Sequence, residues 1–498
     1  MDKKMSENLK ENEVLNQNME FSDFEKLLNE EFQPKSDEAN EAVHSAVKTL
    51  IAQAVSNANL IKSDVLSTIE SIIAELDKNL SEQLNEIIHH EEFKTMESAW
   101  RGLDYLVSNT ATSENLKIKV FNISKSELLK TLKKYKGTAW DQSPLFKKIY
   151  EEEYGTAGGE PFGCLVGDYY FNQSAPDIEL LKGIAQIAAA SHAPFISSVD
   201  PSMMNLNSWQ DLANPRDINK IFSTPEYASW RSFRDSDDSR YVALTLPRVL
   251  SRAPYGANSN PVEEFAFEED TGSGDSSKYA WMNAAYGMGV NINRSFAEYG
   301  WCARIRGVES GGIVESLPTH TFPSDDGSVA MKCPTEIAIT DRREAELSSN
   351  GFLPLCYWKN TDYAVFLGGQ TVNKPKEYDN KEATANANLS ARLPYIFAVS
   401  RFAHYLKCIV RDKIGSFKEK ADMQNWLSNW IANYVTSDPN APEEVKAKYP
   451  LAEAKVEVDS IEGQPGYYSA KFYMRPHYQL EGLTTSLRLV SKLPSGQK

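Results

Sequence analysis

Three short apolar runs constrain the fold of this chain more than any other feature. They are FGCLVGDYYF at 162–171, PFISSV at 194–199 and YVALTLP at 241–247, and each reads as a buried strand. Helical spacing lies around them, over 125–135 and 144–153, and a helix from about Asp177 serves as a crossover. LKIKVF at 116–121 alternates with period two and reads as one more strand. Alternating strands and helices are an α/β signature. Beyond them, 258–277 reads as a long surface loop and 278–298 as a helix. After Ser324 come a strand, a short helix at 341–347, and a hairpin of 352–357 with 363–367 about Lys359, Asn360 and Thr361. A polar, loop-like stretch at 372–388 precedes two helices at about 389–412 and 421–436.

The two ends differ from this middle. Residues 1–40 hold eleven acids against five bases and few apolar groups, so most of the stretch reads as a mobile tail. Within it Ser22 and Glu25 form a capping-box pattern. Phe21, Phe24, Leu27, Leu28 and Phe32 follow at helical spacing, and Pro34 ends the run. From 41 to 107 the pattern is helical, with stripes such as Ile69, Ile72, Ile73, Leu76, Leu80, Leu84 and Ile87, and then Phe93, Met96, Trp100, Leu103 and Leu106. Such stripes need covering by each other or by a partner. At the other end Ala454, Val456 and Val458 alternate with charges. Tyr468, Ala470, Phe472 and Met474 form a second alternating set, and Leu487 and Leu489 mark a third strand. This is an antiparallel meander with open edges, which invite pairing with another chain.

The chain has 498 residues, so two to four domains are expected at roughly 100–200 residues each. Its net charge of −16 argues against a general nucleic-acid binder. No apolar run approaches the roughly 18 residues that span a bilayer, and the N-terminus lacks the apolar core of a secretory signal. Five scattered cysteines suit a reducing cytosol.

The search for chemistry finds no P-loop, no G-x-S-x-G elbow and no paired-cysteine zinc spacing. Gly287 and Gly289 lack the third glycine of a dinucleotide fingerprint, because Ile292 stands there. His89 and His90 are adjacent rather than spaced as metal ligands, and read as a polar helix end. Asp235, Asp237 and Asp238 with Arg234 and Arg240 read as an ion-pair surface. No catalytic residue, cofactor or metal site is expected.

Longer motifs carry more information. They are HHEEFKTMESAWRGL (89–103), SHAPFI (191–196), WRSFRDSDDSRYVALTLPRVLSRAPYG (230–256), ESGGIVESLPTHTF (309–322), PTEIAITDRREAEL (334–347) and LPYIFAVSRFAHYLKCIVRDKIGS (393–416), with RPHYQLEG and SLRLVSKLP at the close. From about residue 40 onward the chain thereby resembles the large sheath subunit of type VI secretion systems, the TssC or VipB family.

The resemblance implies a structural protein whose C-terminal region is built like phage tail sheath proteins. It implies pairing with a small TssB/VipA-like subunit, a helical polymer around an Hcp tube, contact with baseplate components, and disassembly by a ClpV-type AAA+ ATPase in the bacterial cytoplasm. It implies no nucleic acid and no membrane insertion. The expected organisation is a tail at 1–40, a helical docking region at 41–110, an α/β body at 111–380 and a C-terminal sheath domain at 381–498. Phe24, Leu27 and Leu28 are the expected ATPase-binding residues. Ile69, Ile72, Ile73, Leu76 and Leu80 would dock the small subunit. Val456, Val458, Phe472, Leu487 and Leu489 would lie on strands shared between protomers. The alternatives are the sheath of another phage-like contractile device, or an enzyme without a recognisable motif.

Overall fold

The computed structural model describes Ser45 and residues 65–479, apart from 215–216, 264, 273, 324–326, 328, 417–418 and 463–466. Phe24, Leu27, Leu28, Leu487 and Leu489 therefore lie outside the described residues. The chain divides into two compact units, 1–86 with 261–268, and 87–260 with 269–498. In the first, helix α1 (Val65–Ile88) supplies most of the described structure, and its last two residues count with the second unit. Asn85 Nδ2 donates to the Glu268 carbonyl within this unit.

The second unit is built on a six-stranded sheet. Its strands are β1 (Leu165–Phe171), β2 (Phe195–Val199), β3 (Val242–Leu246), β4 (Ile313–Val314), β5 (Leu353–Tyr357) and β6 (Ala364–Phe366), in the order β1-β2-β3-β5-β6-β4. The first four in that order are parallel, and β6 pairs antiparallel with β5 and with β4. The three apolar runs are the adjacent strands β1, β2 and β3.

Their side chains alternate between two cores. Phe195, Val242, Leu244, Phe352 and Cys356 enter one, with Trp209, Trp230 and Phe233. Ile196, Ala243, Leu353, Leu355 and Phe366 enter the other. A sheet covered on both faces needs apolar residues on both, which is why these runs do not alternate with polar residues. Helix α2 (Ala175–Ser191) covers the first face as the expected crossover, sending Ile178, Leu181 and Ile184 into that core. Helix α3 (Ala285–Tyr299) covers the second through Met288 and Ile292. A Cβ on Gly287 would meet Val314 at 3.0 Å, so that glycine serves close packing of helix on strand rather than phosphate binding.

The hairpin of β5 and β6 forms as expected, with Asn360 left-handed at φ 64° in the turn. Four expectations are corrected. LKIKVF is not a strand: Ile118 packs inward while Val120 and Phe121 are exposed. The expected helix over 278–298 starts only at Ala285, because Trp281–Met282 pairs with Val249–Leu250 as a short ribbon. The loop-like 372–388 contains the helix Lys381–Ser390, capped by the Asn380 side chain. Arg234 is buried rather than part of a surface ion pair, and donates to the carbonyls of Val372 and Ser349.

Past the sheet, helix α4 (Leu393–Asp412) starts in the second core with Leu393 and Phe397 and ends in a third core with Phe402 and Leu406. Helix α5 (Lys420–Ala432) and the antiparallel ribbon of β7 (Leu451–Ser460) and β8 (Tyr468–Pro476) complete that third core.

Candidate assembly surfaces

The ribbon follows from its period-two pattern. Val456 pairs with Phe472 and Val458 with Ala470; Val456, Val458 and Phe472 pack into the third core, while Ala470 is exposed. Val456 and Val458 are 3% and 2% exposed, against Leu427 and Ile431 of α5 and Phe402 of α4. Trp301 closes the same core, its ring centroid 4.5 Å from that of Phe402. Val456, Val458 and Phe472 thus contribute side chains to their own protomer, and what they leave outward is backbone.

The outer face carries charge. Arg475 binds Glu453 at 3.2 Å, Lys455 binds Glu457 at 2.6 Å, and Lys471 lies 3.6 Å from Asp459. The hydrogen bond from Lys455, and then its charge, hold the Glu457 carboxyl below the usual carboxylate range. Among the described residues the sheet has two strands, and only the single bridge from Leu451 to Val435 adds to it. Beyond the ribbon, Gln479 fixes the chain to the body. Its Nε2 donates to the Ala303 carbonyl at 2.8 Å, and its Oε1 accepts from Arg306 Nε at 2.8 Å.

At the N-terminal side Ile69, Ile72, Ile73, Leu76 and Leu80 all lie on α1. Ile73 and Leu80 are 45% and 47% exposed, and Leu76 is half-buried. The stripe of the next helix, Glu91–Ser108, splits: Leu106 is buried, while Met96 and Trp100 are exposed, Trp100 by 68%. Val107, Val120 and Phe121 are also exposed. Sequence pattern alone did not single out these last three as surface. Val107 falls at helical spacing from Met96 and Trp100 (i+11 and i+7), which is the signal that could have found it.

His89 does sit at a helix end, with Nε2 3.6 Å from Glu269. Glu269 and Glu97 both bind Arg252, each at 2.6 Å, so this buried carboxylate pair is matched to a cation. Burial pushes the Glu97 carboxyl up, but the bonds and charge of Arg252 and then Arg101 outweigh it and hold it low. Among the described residues no group of three or more His, Cys, Asp or Glu could hold a metal ion. No described helix is long and apolar enough to cross a membrane.

Two family models match the chain. Residues 70–373 match "EvpB/VC_A0108, tail sheath N-terminal domain", and residues 382–493 match "EvpB/VC_A0108, tail sheath gpW/gp25-like domain". A curated relative from Pseudomonas aeruginosa, "Type VI secretion system sheath protein TssC1", is 66% identical over 96% of both chains. Among solved structures, the anti-feeding prophage baseplate gives a TM-score of 0.37 at 12% identity, covering 78% of this chain and 86% of that one. The contracted sheath complex of the extracellular injection system PVC gives 0.31 at 9%, covering 62% and 68%. The matched sequences define a class, that of tail sheath proteins, which are structural and not enzymes. Within that class the chain belongs to the VipB family of type VI secretion sheath large subunits.

Proposed function

We propose that this chain pairs with a small TssB/VipA-like subunit and polymerises into a contractile sheath around an Hcp tube. Baseplate components would hold one end, and a ClpV-type AAA+ ATPase would recycle the contracted polymer in the cytoplasm. The observation that supports this most is the ribbon: its inner face is filled by its own protomer, while its backbone edges carry no further described strand. Strand edges of this kind accept strands from a neighbour, and many individually modest hydrogen bonds then act together. Leu487 and Leu489 would belong to a strand offered in return. The 381–498 region would carry the lattice, 111–380 the body, 41–110 the small-subunit contact, and 1–40 the recycling signal. Ile73 and Leu80, exposed on α1 with Ile69, Ile72 and Leu76 on the same helix, would meet the small subunit.

Contraction requires no catalytic group in this chain. A metastable packed lattice passes to one of lower energy, and packed interfaces switch discretely rather than deforming continuously. The test is negative-stain electron microscopy of the chain co-expressed with its small subunit. Hollow tubes that need both proteins are expected. Val456→Pro removes a ladder donor in mid-strand and is expected to abolish the tubes; normal tubes from that variant would end the strand-sharing reading. Leu27→Asp with Leu28→Asp is expected to leave tubes intact and to abolish capture by the ATPase. Unchanged capture would remove Phe24, Leu27 and Leu28 from the proposal.

A further inference from the structure

Beneath α4 lies a cavity of about 330 Å³ that assembly through the ribbon does not use. Phe162, Ile292, Phe296, Trp301 and Phe397 make one part of its wall apolar, and the rest of the wall is polar. Its cations are Lys117, Lys119 and Arg401, and its acids are Glu114 and Glu160. Lys117 is bound by Glu160, and Lys119 binds Glu153 at 2.6 Å. Arg401 has no described carboxylate within ion-pairing distance. Its guanidinium stacks on Tyr405 at 4.9 Å and Phe296 at 5.6 Å, and among the described residues its buried Nε has no hydrogen-bond partner.

One turn along the same helix face, His404 is 2% exposed. Its Nε2 donates to the Ser191 carbonyl at 2.8 Å, which fixes the neutral tautomer. The other ring nitrogen, Nδ1, is left as a buried acceptor without a partner among the described residues. Burial, and then the charges of Arg401, His192 and Lys407, keep this ring neutral against the pull of the Ser191 carbonyl.

Buried polar groups ordinarily have partners, and Ser400 Oγ, Arg401 Nε and His404 Nδ1, three buried atoms of one helix that line this cavity without a described hydrogen-bond partner, describe a missing ligand. We infer that this cavity binds a carboxylate carrying an adjacent hydrogen-bond donor and an apolar body. Arg401 takes the carboxylate, His404 Nδ1 accepts from the donor, and the aromatic wall holds the body. A single unpaired cation suits a planar monoanion, since a phosphate dianion would call for a second. The volume lies at the small end for ligand pockets. The same chemistry arises in two ways, from a free hydroxy or amino acid, or from the terminal carboxylate and amide N–H of a peptide segment in a neighbouring subunit.

The probe is 3-phenyllactate, titrated calorimetrically into the full chain. Saturable binding is expected. 3-Phenylpropionate, which lacks the hydroxyl, is expected to bind about tenfold more weakly, in line with one lost hydrogen bond. Arg401→Gln is expected to lose binding and to melt close to the parent, because the stacking of the guanidinium on Tyr405 and Phe296 is offset by the cost of burying an unpaired cation. His404→Phe keeps a ring and is expected to bind both acids equally. Binding to assembled tubes as well as to the free chain identifies a free acid as the ligand. Binding to the free chain alone identifies a neighbour's carboxylate. The inference is overturned by the absence of saturable binding, by equal binding to Arg401→Gln, or by an Arg401→Gln chain that melts well below the parent and so reveals a purely structural cation.

Discussion

The central sheet and the C-terminal ribbon are both β-structure, yet they give different shares of themselves to the protomer. In β3 every residue from Val242 to Leu246 is buried, alternately into two cores, and β2 and β5 occupy both edges. In β7 only Leu451, Val456 and Val458 are buried, and Lys455 and Glu457 form an ion pair on the opposite face from Val456 and Val458. A strand of the first kind has nothing left to offer another chain. A strand of the second kind keeps an edge and a face. If the ribbon carries assembly as proposed, assembly can be damaged without damage to the protomer, whereas damage to the sheet takes both away.

The body should show the larger effect. Phe352 is fully buried, stacked on Trp230 at 5.7 Å and 5.5 Å from Phe222. Phe352→Ala is expected to cost about 3–5 kcal/mol, read from urea denaturation, with tubes lost because the protomer is lost. A cost below about 1 kcal/mol would break the contrast between a close-packed body and a lighter C-terminal core.

Acid should act next, at the helix that joins body and C-terminal core. Burial drives His404 down from 6.5 to about 4. Protonation then favours the unfolded chain, so the stability from this group is full above pH 6.5 and drains away as pH falls toward 4. The largest loss is about 3 kcal/mol. Urea midpoints at pH 7, 5 and 4 check it. His404→Asn is expected to flatten the decline relative to the parent, while carboxylates elsewhere titrate equally in both. Equal slopes would place the acid-sensitive seam elsewhere.

What the sequence disclosed follows the same division. Strands buried on two faces announce themselves, because Val242, Ala243 and Leu244 must all be apolar, and the ribbon was legible through its alternation. The failures have one physical root, that local pattern does not report partners. LKIKVF alternates like a strand, but among the described residues it has no strand to pair with, and a lone strand is not stable. Lys381–Ser390 has no buried residue and hence no stripe to betray a helix. Arg234 looked like surface charge because the carbonyls that bind it come from residues 349 and 372, far along the chain. The cavity beneath α4 was invisible for the same reason, since its walls come from five separate stretches.

The smallest effect sharpens the comparison most. Arg475 and Glu453 form an exposed pair on the outer face of the ribbon, 3.2 Å apart. Exposed pairs contribute about 0–1 kcal/mol, because water screens the attraction and two long side chains must be held still. Arg475→Ala is therefore expected to leave the urea midpoint of the protomer almost unchanged. If the outer face meets a neighbour in the lattice, the same substitution lowers tube yield and changes its salt dependence, since Glu453 then lies at that interface without its partner. Tube yield measured between low and high salt, beside the protomer midpoint, separates the two roles. A large loss of protomer stability would mean that the outer face holds the protomer together no less than the inner one does, and the ribbon would then resemble the central sheet.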